Sequence, residues 1–505
     1  MTSRFLKALS PFVRVMPEVK APDREVSFRE KFVWTALILI IFLIMSHLPL
    51  YGVDPTVGTD YLWAMRVILA STRGTLMELG IGPIVTAGLV MQLLSGSKII
   101  DVDFGDPEDR ALFTGGQKVI AMFMTAFQAI AYIIGNAYGE LTPETQVIVF
   151  LQLFVSGIVV ILMDELVQKG WGLGSGVSLF IMTNVAGQVM FNALNFIDPE
   201  AAAPPGYVPI EGSTGTNLPK GIIAALISNL LRYFGIGTAQ GNVVDLSWFL
   251  VRNGYDPSIL SLTVTFIIFF AVIWMESVRV EIPLQYAKYR GMKARYPIKL
   301  LYTSNIPVIL AQALYANILF FGQILFNAFN SDAANPFLNW IGVFERQESS
   351  GRMIATSGLA KYITPPQGIF QLISEGMEGW VHVIIYATLM ILLCWGFSKI
   401  WVDISGIAPR DVSRQLLDSG YIVPGFRTSE KVLERLLERY IPIVAGLGGL
   451  LIGILAAAAD IMGALASGTG ILLMVSIIKQ YYEQIAKEQL AGMGGEGVAG
   501  LLGIL

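Results

Sequence analysis

Residues 80–96 read GIGPIVTAGLVMQLLSG. The stretch is apolar enough to enter a bilayer, but it opens on two glycines and a proline and closes on Ser-Gly. It is also barely long enough to cross a hydrocarbon core of ~30 Å, which takes ~20 apolar residues. A helix that only anchors a chain has no use for breakers and small residues at its head. A helix that packs closely against neighbours, or moves against them, does.

The rest of the chain sets the context. Of 505 residues 54% are hydrophobic and only 14% are charged, too little polar surface to cover a soluble globule of this size. Ten apolar runs of spanning length emerge, with cores near 32–50, 81–94, 119–138, 147–163, 173–191, 259–275, 306–326, 381–400, 441–459 and 461–478. With the N-terminus in the cytoplasm, all but eight of the 34 Lys and Arg fall on the cytoplasmic side; the exceptions are Arg66, Arg73, Lys220, Arg232, Arg252, Arg346, Arg352 and Lys361. This bias predicts that both termini are cytoplasmic. The charged N-terminus followed by an apolar run with no small-residue cleavage site reads as an uncleaved first helix. Residues 3–16 mix Arg and Lys with Phe, Leu and Val and are expected to lie along the inner membrane surface, with Pro11 interrupting any single helix. Cys394, the only cysteine, lies inside the eighth run, so neither an intramolecular disulfide nor a thiolate zinc framework is available. The two histidines, His47 and His382, stand near segment ends, where interfacial packing is the expected role.

A Pro-, Gly- and Ala-rich stretch of about sixty residues separates runs 5 and 6 and divides the chain into an N-terminal half (1–200), an external linking loop (201–256) and a C-terminal half (257–505). Five is odd, so the second half enters the membrane upside down. The expectation is an all-α polytopic protein of ten transmembrane helices in two inverted five-helix halves, with the working site between them. The second run of each half carries a matching proline, GIGPIV in one and SNIPVI in the other; the simpler account is a pair of proline kinks. Upstream, residues 59–75, TDYLWAMRVILASTRGT, have Trp63, Val67 and Ala70 at helical spacing but are too short to cross and carry Arg66. Backbone at membrane depth survives only where it is buried in protein or lines a cavity, so a short re-entrant helix, a movable stopper, is expected here.

The spanning cores are nearly free of charge: Asp164, Glu165, Glu276 and Asp460 fall at segment ends. Ion-coupled carriers place ionisable groups near the midplane, so an inverted-repeat solute transporter is the second reading rather than the first. No phosphate loop, metalloprotease helix or nucleophile elbow is present; GLGSG at 172–176 lacks the lysine of a phosphate loop, and Ser175, Ser178 and Asp164 have no convincing catalytic partner. No enzyme and no cofactor is expected. A membrane scaffold would leave the stretch around Trp63 unexplained. Two cytoplasmic loops are unusually basic. Residues 279–304 interleave Arg279, Lys288, Arg290, Lys293, Arg295 and Lys299 with Tyr286, Tyr289 and Tyr296, and residues 399–440 carry Arg427 after a Pro-Gly turn. Cations among aromatics suit RNA or an acidic protein; positive-inside anchoring accounts for the charges but not for the tyrosines.

The stretches 80–100, EIPLQYAKYRG (281–291), YPIKLLYTSNIPVIL (296–310) and GTGILL (468–473) resemble the SecY family, the pore-forming alpha subunit of the Sec protein-conducting channel. SKIIDVDFGDPEDRALFTGGQK and GFRTSEK look closer to its archaeal and eukaryotic branch. The resemblance spans all ten segments and weakens in the loop after segment 5 and over 331–365, both longer than the compact family form. It implies a two-halved clamshell around a central pore that passes unfolded secretory chains, or releases hydrophobic segments sideways into lipid. It places a ring of aliphatic pore residues at Ile81, Val85, Val177, Ile181, Ile309 and Leu473, and a plug around Trp63, Met65, Val67 and Leu69. The polar residues of its lateral gate, between segments 2 and 3 on one side and 7 and 8 on the other, match Thr86, Gln128 and Asn317. Its docking site for a ribosome, or in bacteria a motor ATPase, matches the two basic loops, with Arg290 and Arg427 foremost and Lys288, Lys293 and Arg295 beside them. One departure is VPGFR, where Pro424 replaces a basic residue before Gly425. The implied partners are a SecE-like gamma clamp, a small beta subunit, signal sequences and nascent polypeptides, and membrane lipids. The implied site is the cell membrane of a prokaryote, archaeal in type.

Overall fold

The computed structural model describes residues 4–53, 60, 63, 65–97, 99–100, 102, 107–139, 141–196, 219–234, 249, 257–286, 293–330, 333, 335–346, 353–366, 368, 376–422 and 430–492. The N-terminal half contains α1 (Arg4–Val15), α2 (Phe28–His47), α3 (Gly82–Gly96), α4 (Pro107–Ile134), α5 (Pro143–Leu166) and α6 (Gly176–Leu194). After α7 (Ile222–Tyr233) the C-terminal half begins with α8 (Ile259–Ser277), the strands β1 (Arg279–Tyr286) and β2 (Lys293–Lys299), and α9 (Ile306–Phe329). An outer insertion follows, made of α10 (Pro336–Ile341), β3 (Val343–Arg346), β4 (Met353–Ser357) and α11 (Leu359–Ile363). The chain closes with α12 (Met377–Ile404), α13 (Pro409–Asp418), β5 (Tyr421–Ile422), α14 (Glu430–Met462) and α15 (Gly468–Gly492).

Each of the ten apolar runs holds one long helix: α2 to α6 in the first half, and α8, α9, α12, α14 and α15 in the second. Seven of them are long and apolar enough to cross a membrane by length and composition alone. The other three are α2, whose first turn carries Arg29, Glu30 and Lys31, α3, with only 15 residues, and α15, whose apolar run ends at Lys479. Local chemistry sets the starts. Ser27, Thr142 and Ser258 accept the backbone N–H three residues on and cap α2, α5 and α8. Pro83 and Pro307 sit in the first turn of α3 and α9, where a missing N–H costs nothing. The paired prolines are therefore helix starts in matching places, not kinks. Pro11, expected to break the N-terminal segment, lies inside α1, which packs so closely on α4 that a Cβ on Gly115 would approach Val13 to 2.7 Å.

The fold is mostly helical, with short strands in addition. Between the halves lies α7, whose Ile222 and Ala225 pack on Ala193 of α6 and Leu465. The basic loop after α8 is an antiparallel hairpin, β1 against β2, with Glu281 opposite Pro297 and Gln285 opposite Lys293. Its cause is a period-2 pattern: Ile282, Leu284 and Ile298 are buried against Val412, Leu416, Leu433 and Leu437 of α13 and α14, while the residues between them face out. β5, from the second basic loop, adds to the other edge of β1 at Gln285 and Tyr286. Pro283 lies beyond that pairing, where β1 is an edge strand and no N–H is required.

Candidate pore, plug and lateral gate

Among the described residues, the expected plug helix is one turn. Leu69 donates its N–H to the Met65 carbonyl at 2.9 Å, and Ser71 then donates back to Arg66 at 3.0 Å, a helix-terminating pattern that needs a left-handed residue before Ser71. Ala70 supplies it at φ 51°. The chain next passes into α3 through Gly80, at φ 55°. A Cβ there would collide with the Leu69 carbonyl oxygen, the same oxygen that accepts the Ile81 N–H at 2.9 Å. The helix-breakers at 80–82 thus let the plug backbone lie directly on the start of α3.

A buried ion cluster holds the turn in shape. Arg66 is bidentate to Asp60 (Nε–Oδ2 3.0 Å, Nη2–Oδ1 2.7 Å), donates to Glu78 Oε1 at 2.6 Å and reaches Ser71 Oγ at 2.8 Å. The Glu78 side chain is 1% exposed, and its second oxygen accepts the Gly74 N–H. Sequence reading found the arginine but not its partners. The available signal was the charges Asp60, Arg66, Arg73 and Glu78 clustered within nineteen residues of a largely apolar chain.

Three other elements seat the plug. Asn184 of α6 donates to the Arg66 and Val67 carbonyls at 3.2 and 2.9 Å. A Cβ on Gly470 of α15 would sit 3.1 Å from Val67 and 3.3 Å from Val185 of α6. The indole of Trp63 donates to the Met353 carbonyl of β4 at 2.6 Å, so the outer insertion reaches over the plug.

Ile81, Val85, Ile181 and Leu473 are buried in the large apolar cluster of the molecule, which also contains Met65 and Leu69, and Val177 and Ile309 are half-buried against it. Ile81 caps α3 and Val85 lies one turn on; Ile181 and Leu473 stand in the second turns of α6 and α15. All six lie at or within the first two turns of α3, α6, α9 and α15.

At the seam between α3, α4 and α9, Thr86 and Asn317 are hydrogen-bonded through Thr86 Oγ1 and Asn317 Nδ2 at 3.0 Å. Asn317 also donates to the Ala313 carbonyl at 2.7 Å. Thr86, Gln128 and Asn317 line one cavity together with the plug residue Leu69 and with Ala313, Ala316 and Phe320. Its 10 Å³ is about the room one water needs. Aromatic pairs across α4 and α9, Tyr132 on Phe320 at 5.5 Å and Phe127 with Phe321 at 5.8 Å, pack along the same seam and were not foreseen.

β5 joins both basic loops in one sheet. Arg295 is 76% exposed beside Glu281, at 2.7 Å. Lys293 opens β2, whereas Lys288, Arg290 and Arg427 lie outside the described residues. Tyr296 does not present itself to a partner: it packs against the apolar layer beneath the sheet, and burial raises its phenol pKa. Tyr302, likewise raised by burial, donates to the Ile407 carbonyl at 2.9 Å. Tyr296 and Tyr302 thus help to build the platform, while Tyr289 lies outside the described residues.

Comparisons with known proteins agree with this architecture. The SecY family profile matches residues 75–482 and that of the plug domain of Sec61p matches residues 40–74. The chain is 42% identical over 500 residues to the protein transport protein Sec61 subunit alpha of Dictyostelium discoideum, covering 98% of this chain and 99% of that one. Among solved structures it is similar to one described as the structure of a protein conducting channel, at TM-score 0.76 and 33% identity, with 96% of this chain and 98% of that chain covered. It is also similar to Sec61 in the canine ribosome-channel complex from the endoplasmic reticulum, at TM-score 0.74 and 32% identity, with 96% and 97% covered.

Proposed function

The chain belongs to the SecY family, and from that premise we propose that it is the pore subunit of a protein-conducting channel, passing unfolded secretory polypeptides across the membrane and releasing hydrophobic segments through a lateral gate. It is a multi-pass membrane protein whose relatives are transport channels, and no step it performs makes or breaks a covalent bond. The observation that carries the reading is the seating of a short plug turn, through Leu69, on both the start of α3 and the polar seam of Thr86, Gln128 and Asn317. A solute carrier has no reason to stopper its gate with its own chain.

Ile81, Val85, Val177, Ile181, Ile309 and Leu473 form the constriction in this reading. A seal that must exclude ions yet admit any side chain requires deformable groups without hydrogen-bonding capacity, and a hydrophobic constriction also blocks leakage by dewetting. Thr86 and Asn317 hold the gate shut with a hydrogen bond of ~1 kcal/mol, with Gln128 beside them in the same cavity; that bond is weak enough for a signal helix burying several apolar side chains, each worth ~2 kcal/mol, to displace. The joined cytoplasmic sheet, with Lys288, Arg290, Lys293, Arg295 and Arg427, is the docking platform. The canine neighbour is a ribosome-channel complex, which favours a ribosome over a motor ATPase as the docked partner, and the family implies SecE-like gamma and small beta subunits around the helices. The Dictyostelium and endoplasmic-reticulum relatives draw the expected membrane away from an exclusively prokaryotic one and keep it within the archaeal and eukaryotic branch.

The ring is tested by replacing Ile81, Val85, Ile181 and Ile309 together with Gly and recording the resting channel in planar bilayers. A steady ion leak is expected; unchanged conductance removes these residues from the pore.

A further inference from the structure

The connections into α6 and α15, last helices of the two halves, are built alike. Residues 175–181 read SGVSLFI and residues 467–473 read SGTGILL. The seventh residue of each stretch is a ring position, Ile181 in one and Leu473 in the other. Gly176 and Gly468 open their helices, and each lies on the end of the preceding helix. A Cβ on Gly176 would stand 2.6 Å from Asp164 Cα, and one on Gly468 would overlap the backbone of Ala459 and Asp460. Each of those helix ends carries a buried aspartate. Asp164 Oδ1 accepts the Val177 N–H at 3.0 Å; Asp460 Oδ1 accepts the Thr469 N–H at 2.8 Å.

A buried carboxylate is costly unless its charge is compensated. Among the described residues no cation pairs with either aspartate; the compensation comes from the positive end of the following helix and from neutral donors. An aspartate reaching across to a helix start, with a glycine that admits no other spacing, fixes both the height and the rotation of that helix. A slip of one residue turns an α-helix by ~100° and would carry Ile181 or Leu473 away from the ring. The two sites differ in one respect. Asp164 takes its other side-chain bond from Gln168, within its own helix end, at 2.7 Å. Asp460 Oδ2 accepts Tyr386 of α12 at 2.7 Å, and Gln312 of α9 donates to Thr469 Oγ1 at 3.3 Å. Only the second site is tied to the gate helices.

We propose that Asp164 and Asp460 are a symmetry-related pair of positioning residues that set the two halves' ring residues in register, and that of the two only Asp460 also braces its ring residue against the gate helices α9 and α12. The inference rests on Ile181 and Leu473 belonging to the ring. The test compares Asp164→Asn and Asp460→Asn with the wild type and the four-glycine ring variant, each as the full channel complex in planar bilayers, with melting temperature measured in parallel. At wild-type melting temperature both Asn variants are expected to raise resting ion current about tenfold, and Asp460→Asn alone to let weakly hydrophobic signal sequences through. A ring variant that leaks beside Asn variants with wild-type current overturns the inference and leaves the ring standing, as does a lowered melting temperature with wild-type current. A ring variant that does not leak removes both. If the Asn variants fail to accumulate, Gln168→Ala and Tyr386→Phe each remove one donor and keep the carboxylate; a smaller leak in both supports the proposal, and wild-type current in both overturns it.

Discussion

Arg66 illustrates how much a single side chain carries. Its guanidinium is shared by Asp60 and Glu78 in a cluster of low exposure, and removing one member of a buried ion pair costs about 3 kcal/mol or more because the partner is left charged and unpaired. Arg66→Ala should therefore unseat the plug with little effect on the spanning helices. Resting current should rise and crosslinking between Val67→Cys and Gly470→Cys should fall, whereas unchanged crosslinking would show that the cluster does not hold the plug. The gate pair is weaker. Replacing Thr86 and Asn317 together by Ala removes about 1 kcal/mol of closure, an approximately fivefold shift towards the open gate. It should show as export of substrates with less hydrophobic signals, and a stricter requirement would contradict the assignment. Thr86, Gln128 and Asn317 were named through the family resemblance, and they line one cavity. Asp60, Glu78 and Asn184 were not legible, because their meaning lies in what they face across sequence separations of up to 118 residues.

At the scale of elements, helices were readable where apolar length and caps agreed, and the errors fall where length is short. One turn at 65–69 reads from spacing as a helix, but Ala70 ends it. The cytoplasmic hairpin hid behind its charges: Ile282, Leu284 and Ile298 alternate in a way that gives strands, but the expectation of a helical membrane protein drew the reading towards loops. The structure makes this platform a packed unit, so docking should depend on residues that touch no partner. Ile282→Asp with Ile298→Asp buries two carboxylates beneath the sheet and should abolish ribosome co-sedimentation, although every docking cation remains. Retained binding would show that the loops work as unstructured basic tails.

Across the whole molecule, the plug turn is held by α3 and α6 from one side of the sequence and by α15 and the outer insertion from the other, so parting the two halves is expected to unseat it. The prolines that start α3 and α9 were legible in the sequence; the joining of the basic loops through β5 was not, because it pairs residues over a hundred positions apart. The central claim is that a polypeptide passes between these halves. It is tested most directly by placing a photo-crosslinking side chain at Val85 or Ile309 and stalling a secretory chain during export. The account predicts crosslinks to the stalled polypeptide at both positions. Labelling by small solutes with no crosslink to the chain would contradict it.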